Sequence, residues 1–361
     1  MNKTLLTAAL VIVGGASLFA GDIFRFRGEN SQGMYMEEKG LMKSWPQGGL
    51  TPKWTYTGLG EGWTSPIKVG NRLYISGSDM NSNPKKEKVV CLDLDGKLIW
   101  QTPTGVRWER SFPGARSTPT YVPGEKEGEG RLVVTTGPGE LYCLNAADGK
   151  ILWQKNIANE YGSKFGMWAM AECPVVKDGT VMWEDNYAST TGAQGRGGIN
   201  CNTPMVKDNR FYVSAGYDQG GVLYELNEDG KGVKVVWKNK NLDPHHDCTV
   251  LIDGKLYGSN WVGNDRGNWM CVDWETGKTI YETPWERLGK GCVIYADGLM
   301  YIYEEKRGTL GLLKPGDKFE VVSSFQINFG NKEHWAHPVI CDGVLYVRHG
   351  DALAAFDIKA K

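Results

Sequence analysis

The chain has 361 residues, with 41 Lys+Arg against 42 Asp+Glu and a formal net charge of -1. That balance gives no electrostatic reason to expect a nucleic acid or an anionic membrane surface as partner. Hydrophobic residues make up 41%, enough to fill a core, and 48 glycines with 14 tryptophans point to many short strands joined by tight turns.

Residues 1–21 read as an export signal. Lys3 supplies the positive start, Thr4 to Gly21 carries no charge, and Ala20 offers a small residue for cleavage ahead of Asp22. The apolar run is interrupted by Gly14 and Gly15 and is short for a spanning helix, and no later segment could span a bilayer as one. The first cysteine is Cys91, far from where a lipid anchor would sit. The expectation is an exported protein of the periplasm or cell envelope with no transmembrane span. Residues 22–51 form a lead segment, and 52–361 carry internal repeats.

The repeats have two halves. The first is an apolar strand, an Asp/Gly turn and a second apolar strand: PIKVGNRLYIS from Pro66, PVVKDGTVMW from Pro174, PMVKDNRFYV from Pro204, TVLIDGKLYG from Thr249, VIYADGLMYIY from Val293 and PVICDGVLYV from Pro338, with a variant from Pro119. The second half is a strand, a Gly-Lys turn and a strand ending on an aromatic: VVCLDLDGKLIW to Trp100, LYCLNAADGKILW to Trp153 and NWMCVDWETGKTIY to Tyr281, with looser copies ending at Trp237 and Phe325. Four short strands with period-2 alternation make a meander that cannot bury both faces alone, so the units must pack face to face. Pro174 and Pro204 are only 30 residues apart, whereas such units need about 40–45. The unit from Pro174 lacks a recognisable second half and reads as degenerate. The last unit ends after a third strand at ALAAFDIKAK, and Lys53-Trp54-Thr55-Tyr56 stands alone before the first. Pairing these two ends would remove the open edge of a ring.

The motifs Cys91-Leu92-Asp93 with Gly96 and Trp100, Cys143-Leu144-Asn145 with Gly149 and Trp153, and Cys271-Val272-Asp273 with Thr276, Gly277 and Tyr281 resemble the A-x-D-x-x-T-G-x-x-x-W signature of pyrroloquinoline-quinone-like (PQQ-like) repeats. The opening FRGENSQGMYMEEKGLMKSWPQGGLTPKW also resembles the lead of many exported bacterial members. The resemblance implies an all-β fold: a β-propeller of about seven four-stranded blades, the third degenerate, closed by the N-terminal strand. Members include quinone-dependent alcohol dehydrogenases, which hold pyrroloquinoline quinone with calcium, and outer-membrane assembly scaffolds. The adjacent cysteine pair used by several dehydrogenases is absent, as is the scaffolds' N-terminal lipid-bearing cysteine.

In a four-stranded meander the tight turns share one rim, and the second-to-third loops and inter-blade connections share the other. All five histidines fall on or beside this loop rim: His245 and His246 in NLDPHHDC, His334 and His337 in KEHWAHP, and His349 in VRHGDA. Arg110 and Arg116 precede Pro119, Trp168 and Glu172 precede Pro174, and Trp261 and Arg266 share a loop. Aromatics beside guanidinium and imidazole groups suit stacking and bidentate hydrogen bonding, so these residues form the expected binding site at the channel mouth. The bland reading keeps each histidine bonded within its own loop. No residue is assigned to a metal, because His245-His246-Asp247 has no further ligand at zinc-like spacing, and Asp93-Leu94-Asp95-Gly96 lacks the rest of a calcium loop. The function expected is a ligand-binding or protein-scaffold module whose partner is a small molecule, a glycan or an envelope protein segment. The alternative is a quinone-dependent oxidoreductase or a sugar lyase on the same rim, and the cofactor is left open.

Eight cysteines in an exported chain invite disulfides. Three of them, Cys91, Cys143 and Cys271, instead hold one register position in successive repeats, as small buried side chains do. All eight thiols should therefore titrate under denaturing conditions. A count near zero would show a disulfide framework.

Overall fold

The computed structural model describes residues 21–125, 129–160, 169–171, 173, 202–246 and 248–361. Among these residues it forms six four-stranded antiparallel blades. Blade I is Ile67–Val69, Arg72–Asp79, Lys86–Asp93 and Leu98–Val106; blade II is Thr120–Val122, Arg131–Thr135, Glu140–Asn145 and Ile151–Asn156. Blade III comprises Met205–Lys207, Arg210–Ser214, Gly221–Leu226 and Val233–Asn239; blade IV comprises Val250–Ile252, Lys255–Ser259, Trp269–Asp273 and Thr279–Thr283. Blade V is Gly291–Ala296, Leu299–Glu304, Thr309–Lys314 and Glu320–Gln326, with Met34–Tyr35 added in parallel to its first strand. Blade VI takes Val339–Cys341, Val344–His349 and Ala352–Asp357 from the C-terminal end and its outermost strand, Trp54–Thr57, from before blade I. Trp54 lies opposite Ala355 in that mixed sheet, the pairing expected of the two chain ends. The short unit from Pro174 lies outside the described residues, among which helix is limited to single turns at Glu29–Ser31 and Ile157–Glu160.

The repeat signature has a mechanical meaning. Its Asp or Asn bends the third-to-fourth turn: Asp93 Oδ1 accepts the amides of Asp95 and Lys97, and Asp273 Oδ1 accepts those of Thr276, backbone and hydroxyl. The following glycine takes a left-handed φ of 78° at Gly96, 72° at Gly149 and 69° at Gly277. On each of these glycines lies the aromatic ring of the preceding blade. A Cβ added at Gly96 would stand 2.6 Å from the Trp54 indole, one at Gly149 2.5 Å from Trp100, and one at Gly277 2.6 Å from Trp237. Trp54 Nε1 also donates to Leu94 O and Trp237 Nε1 to Trp274 O, each at 2.8 Å. The contact therefore joins blade VI to I, I to II and III to IV. Tyr281 and Trp269 of blade IV pack instead on Phe319 of blade V, and Phe325 of blade V on Phe356 of blade VI. Trp153, which carries the same motif position in blade II, is 42% exposed. The register cysteines Cys91, Cys143 and Cys271 are buried free thiols inside these sheets, as is Cys341.

The lead segment does something the repeats do not announce. Ile23 pairs with Lys68 of blade I, and Phe24 O accepts the amide of Tyr121 of blade II. Gln32 Oε1 accepts Val206 N of blade III, and Arg27 donates to Thr249 O, leading into blade IV, and to Val293 O of blade V. Arg27 also meets His337, leading into blade VI, at 2.9 Å. First strands of six blades around one segment mean that this segment fills the central channel. Its two ends sit at the tight-turn rim, where Asp22 takes Gly70 N and Lys68 and where Glu38 takes the amides of Asp342 and Gly343. Its tip, around Arg27, reaches the loop rim. The tip is sharp: Arg27, Gly28, Asn30, Ser31 and Gly33 all have positive φ, a conformation that costs on the order of 1 kcal/mol or more at each non-glycine residue. Gly33 is required, since a Cβ there would lie 2.6 Å from the Arg27 guanidinium.

Gly277→Ala should destabilise the protein by about 1–3 kcal/mol more than Gly254→Ala in denaturant unfolding. Both glycines have left-handed φ, 69° and 75°, but nothing lies within 4 Å of a Cβ at Gly254. Equal losses would mean that the indole contact carries no weight.

Candidate functional site

The connections entering the first strands and the second-to-third loops of blades III and IV place a continuous row of rings on the loop rim. Trp63, leading into blade I, meets Trp335, leading into blade VI, with centroids 5.3 Å apart. Trp335 meets His246 at 4.9 Å, His246 meets His245 at 4.7 Å, His245 meets Tyr217 at 4.4 Å, and Tyr217 meets Trp261 at 5.1 Å. Phe112 joins the row against Trp335 at 4.8 Å, and the Arg116 guanidinium lies 5.4 Å over the Trp63 ring. Arg116 also donates to the carbonyls of Ser111 and Phe112, which holds it in that stack. Most of these rings are only partly covered, and Phe112 is exposed. The indole N–H groups of Trp63 and Trp261 are buried with no hydrogen-bond partner among the described residues.

Behind this row lie buried charges. Lys290 and Glu305, 0% and 2% exposed, form an ion pair of 2.7 Å, and His246 Nε2 stands 3.6 Å from the same Glu305 oxygen. Asp243 holds two of the loops together by accepting Asp218 N at 2.9 Å and Trp261 N at 3.0 Å. Burial pushes the Asp243 carboxyl up to about 7 despite those two amides. On the blade I–II side, burial likewise raises Glu87 to about 8 although it accepts Gly137 N.

The structure separates the residues expected from sequence. His245, His246, Trp261 and Arg116 are parts of the row. His337 lies below it, 3% exposed, between the channel tip and the rim. Arginine only donates, so His337 Nδ1 accepts from Arg27 and its Nε2–H donates to His246 O at 3.0 Å, which fixes the tautomer. His334 and His349 form a separate stacked pair, centroids 3.7 Å apart. The ring nitrogens of His349 reach the carbonyls of Phe329 (2.5 Å) and Lys332 (2.8 Å), while burial and then the neighbouring His349 hold His334 down to about 3. Together they brace the 329–332 bend, His334 from the same connection and His349 from the end of the Val344–His349 strand. Arg110 is exposed and lies over Trp108 at 5.5 Å, outside the row. Arg266 is exposed and closes the 262–266 turn through its backbone. Trp168 and Glu172 lie outside the described residues. Trp63, Tyr217, Trp335, Asp243 and Glu305 were not singled out from sequence. Their only signal is position, each standing in a connection or a second-to-third loop beside a histidine or an anchor.

Residues 85–233 match the family model described as outer membrane protein assembly factor BamB. The repeats in that stretch are PQQ-like, within a chain of four-stranded, blade-like sheets. No curated protein matches the chain. Among solved structures, this PQQ-like propeller is similar to BamB from Moraxella catarrhalis, at 14% identity over 83% of this chain and 83% of that one, with a TM-score of 0.43. It is also similar to quinohemoprotein alcohol dehydrogenase from Comamonas testosteroni, at 13% identity over 91% of this chain and 57% of that one, with a TM-score of 0.33.

The quinone with calcium that the dehydrogenase resemblance implied does not fit the described residues. The lead segment fills the channel centre at the Arg27 tip. The one grouping of three potential cation ligands found among the described residues, Glu38, Cys341 and Asp342, sits at the opposite rim. Both Glu38 oxygens there accept backbone amides, and burial pushes the Cys341 thiol upward.

The Asp243 geometry gives a pH signature. A carboxyl whose folded value is raised binds its proton more tightly when folded, so its ionisation weakens the fold as pH climbs from about 4 to 7. Asp243→Asn, which stays neutral, should therefore gain stability relative to the parent protein between pH 5 and pH 8 in denaturant melts. A difference constant across that range would contradict the assignment.

Proposed function

We propose that this PQQ-like propeller is an exported binding and scaffold module of the cell envelope that holds a protein segment along its loop rim. The observation that carries the reading is the unbroken row from Trp63 through Trp335, His246, His245 and Tyr217 to Trp261, with Arg116 stacked on one end. Tryptophan, tyrosine and arginine are the side chains that dominate protein interfaces, because they bury large area at small conformational cost. A row contributed by connections from several blades presents an extended track, which suits a chain segment better than a compact small molecule. The buried, unpartnered indole N–H groups of Trp63 and Trp261 would find acceptors in the carbonyls of such a segment. The lead segment in the channel supports the same choice, since it leaves the rim rather than the lumen to a partner. The family model matched by residues 85–233 is named for an outer membrane protein assembly factor, which agrees with a scaffold in that compartment. No helix among the described residues is long and apolar enough to cross a membrane.

A photo-crosslinking amino acid at Phe112 or Val262 on the loop rim, in the living host, should give discrete protein adducts. The same probe at Lys97 on the tight-turn rim should not. Trp335→Ala should abolish the rim adducts and weaken the purified complex by about 30-fold or more, the loss expected of an interface anchor, with the melting temperature nearly unchanged. Adducts from Lys97 alone, or from none of the three positions, would overturn the reading.

A further inference from the structure

A second cleft, sharing no lining residue with the aromatic row, lies where blade VI meets blade I. A cavity of about 290 Å³ opens there, lined by Gly58, Gly60, Asp79, Lys88, Lys332 and Asp351, among others. Its floor holds unusual charge. Lys88 is 9% exposed and donates to Gly58 O at 2.8 Å and to Gln101 Oε1 at 3.1 Å. An ammonium has three protons, and the third has no acceptor among the described residues. Directly behind Gly60 lies Arg348, 0% exposed, whose guanidinium is held by neutral groups only: the carbonyls of Gly350, Thr64, Ser76 and Gly60 and the Thr64 hydroxyl. Neither cation has a carboxylate within ion-pair distance among the described residues. Burial lowers both, Arg348 to about 9, against a smaller upward pull from Asp79 on Lys88 and from Asp351 on Arg348. Buried cations are ordinarily paired.

The lip carries the opposite sign. Asp79 uses one oxygen to cap Asn81 N at 3.0 Å, and its other oxygen forms no hydrogen bond among the described residues. The Asp351 carboxylate likewise forms neither hydrogen bond nor ion pair there. Lys332 and Glu61 pair with each other at 3.2 Å, which removes them from the account. The cavity thus keeps one buried ammonium and two carboxylates close enough to feel one another but beyond ion-pair distance among the described residues. The wall cannot close in, because Gly60 already packs on blade I so tightly that a Cβ would lie 2.1 Å from Ser78 O.

We propose that this cleft binds a small zwitterion of the α-amino acid kind, its carboxylate on Lys88 over Arg348 and its ammonium between Asp79 and Asp351. A charge-assisted bond from a desolvated ammonium provides the affinity, and the separation of opposite charges provides the selectivity, since a simple anion would face both aspartates and a simple amine would face the buried cations. The cavity has room for a side chain beyond the two charged groups, and the site is independent of the reading given to the aromatic row.

The test is calorimetric titration of the full chain with glycine, alanine, leucine, glutamate and lysine, and with acetate and methylamine as one-ended controls. At least one amino acid should bind, and neither control should compete with it. Lys88→Met keeps the side-chain volume and should weaken binding roughly 10–100-fold. Asp79→Asn keeps the bond to Asn81 N while removing the charge, and should weaken binding independently of any effect of the first variant on folding, which circular dichroism monitors. Binding of none of the five amino acids would overturn the proposal. So would acetate competing as well as the amino acid, or affinity unchanged in both variants.

Discussion

An indole laid flat on a glycine joins blade to blade in this protein. The contact works only when two conditions meet. The glycine must hold a left-handed φ that closes its turn, and the ring above must have no Cβ beneath it. Gly96, Gly149 and Gly277 satisfy both, under Trp54, Trp100 and Trp237. The same residue thus shapes a blade and accepts its neighbour, so the local turn and the tertiary packing cannot vary independently. Where an aromatic of the neighbouring blade supplies the contact, as Phe319 does for Trp269 and Tyr281, the turn is relieved of that demand, and nothing lies within 4 Å of a Cβ at Gly316.

The lead segment turns a ring of blades into a filled body. Its apolar and backbone groups pair with the first strands, and Arg27 carries the greatest load at the tip, because its buried guanidinium answers carbonyls from blades IV and V as well as His337. Through His337 the tip is bonded to the backbone of His246, so the floor of the loop rim and the lumen are one hydrogen-bonded assembly. A rim supported from below in this way keeps its loops in place without tight turns of their own, which suits a surface that must stay open to a partner.

The histidines show how one residue type divides by environment. His245 and His246 stack in the partly covered row, where imidazole is an aromatic with a polar edge. His337 is a neutral acceptor for a buried cation. His334 is desolvated against His349 and braces a loop. Partly covered rings beside a fixed guanidinium favour binding, whereas those two buried pairings serve the loops that present the rings.

The amino-acid sequence by itself determined the blades. Apolar alternation, Asp-Gly and Gly-Lys turns and register cysteines are local or strictly periodic, and the lone Trp54 strand matched with the unfinished last unit was enough to indicate the mixed blade VI. It also identified the rim that bears the histidines and Arg116, because meander connectivity alone assigns each loop to a rim. The tertiary structure decided the rest. That residues 22–38 enter the channel, that Trp63 and Trp335 touch, that His337 serves Arg27, and that Lys88 and Arg348 bond the carbonyls of Gly58 and Gly60 are all contacts between segments tens to hundreds of residues apart. Neither hydrophobic period nor motif spacing encodes such separations; they follow from how the blades are arranged around one another, which fixes the neighbours of each connection only once the blades have packed.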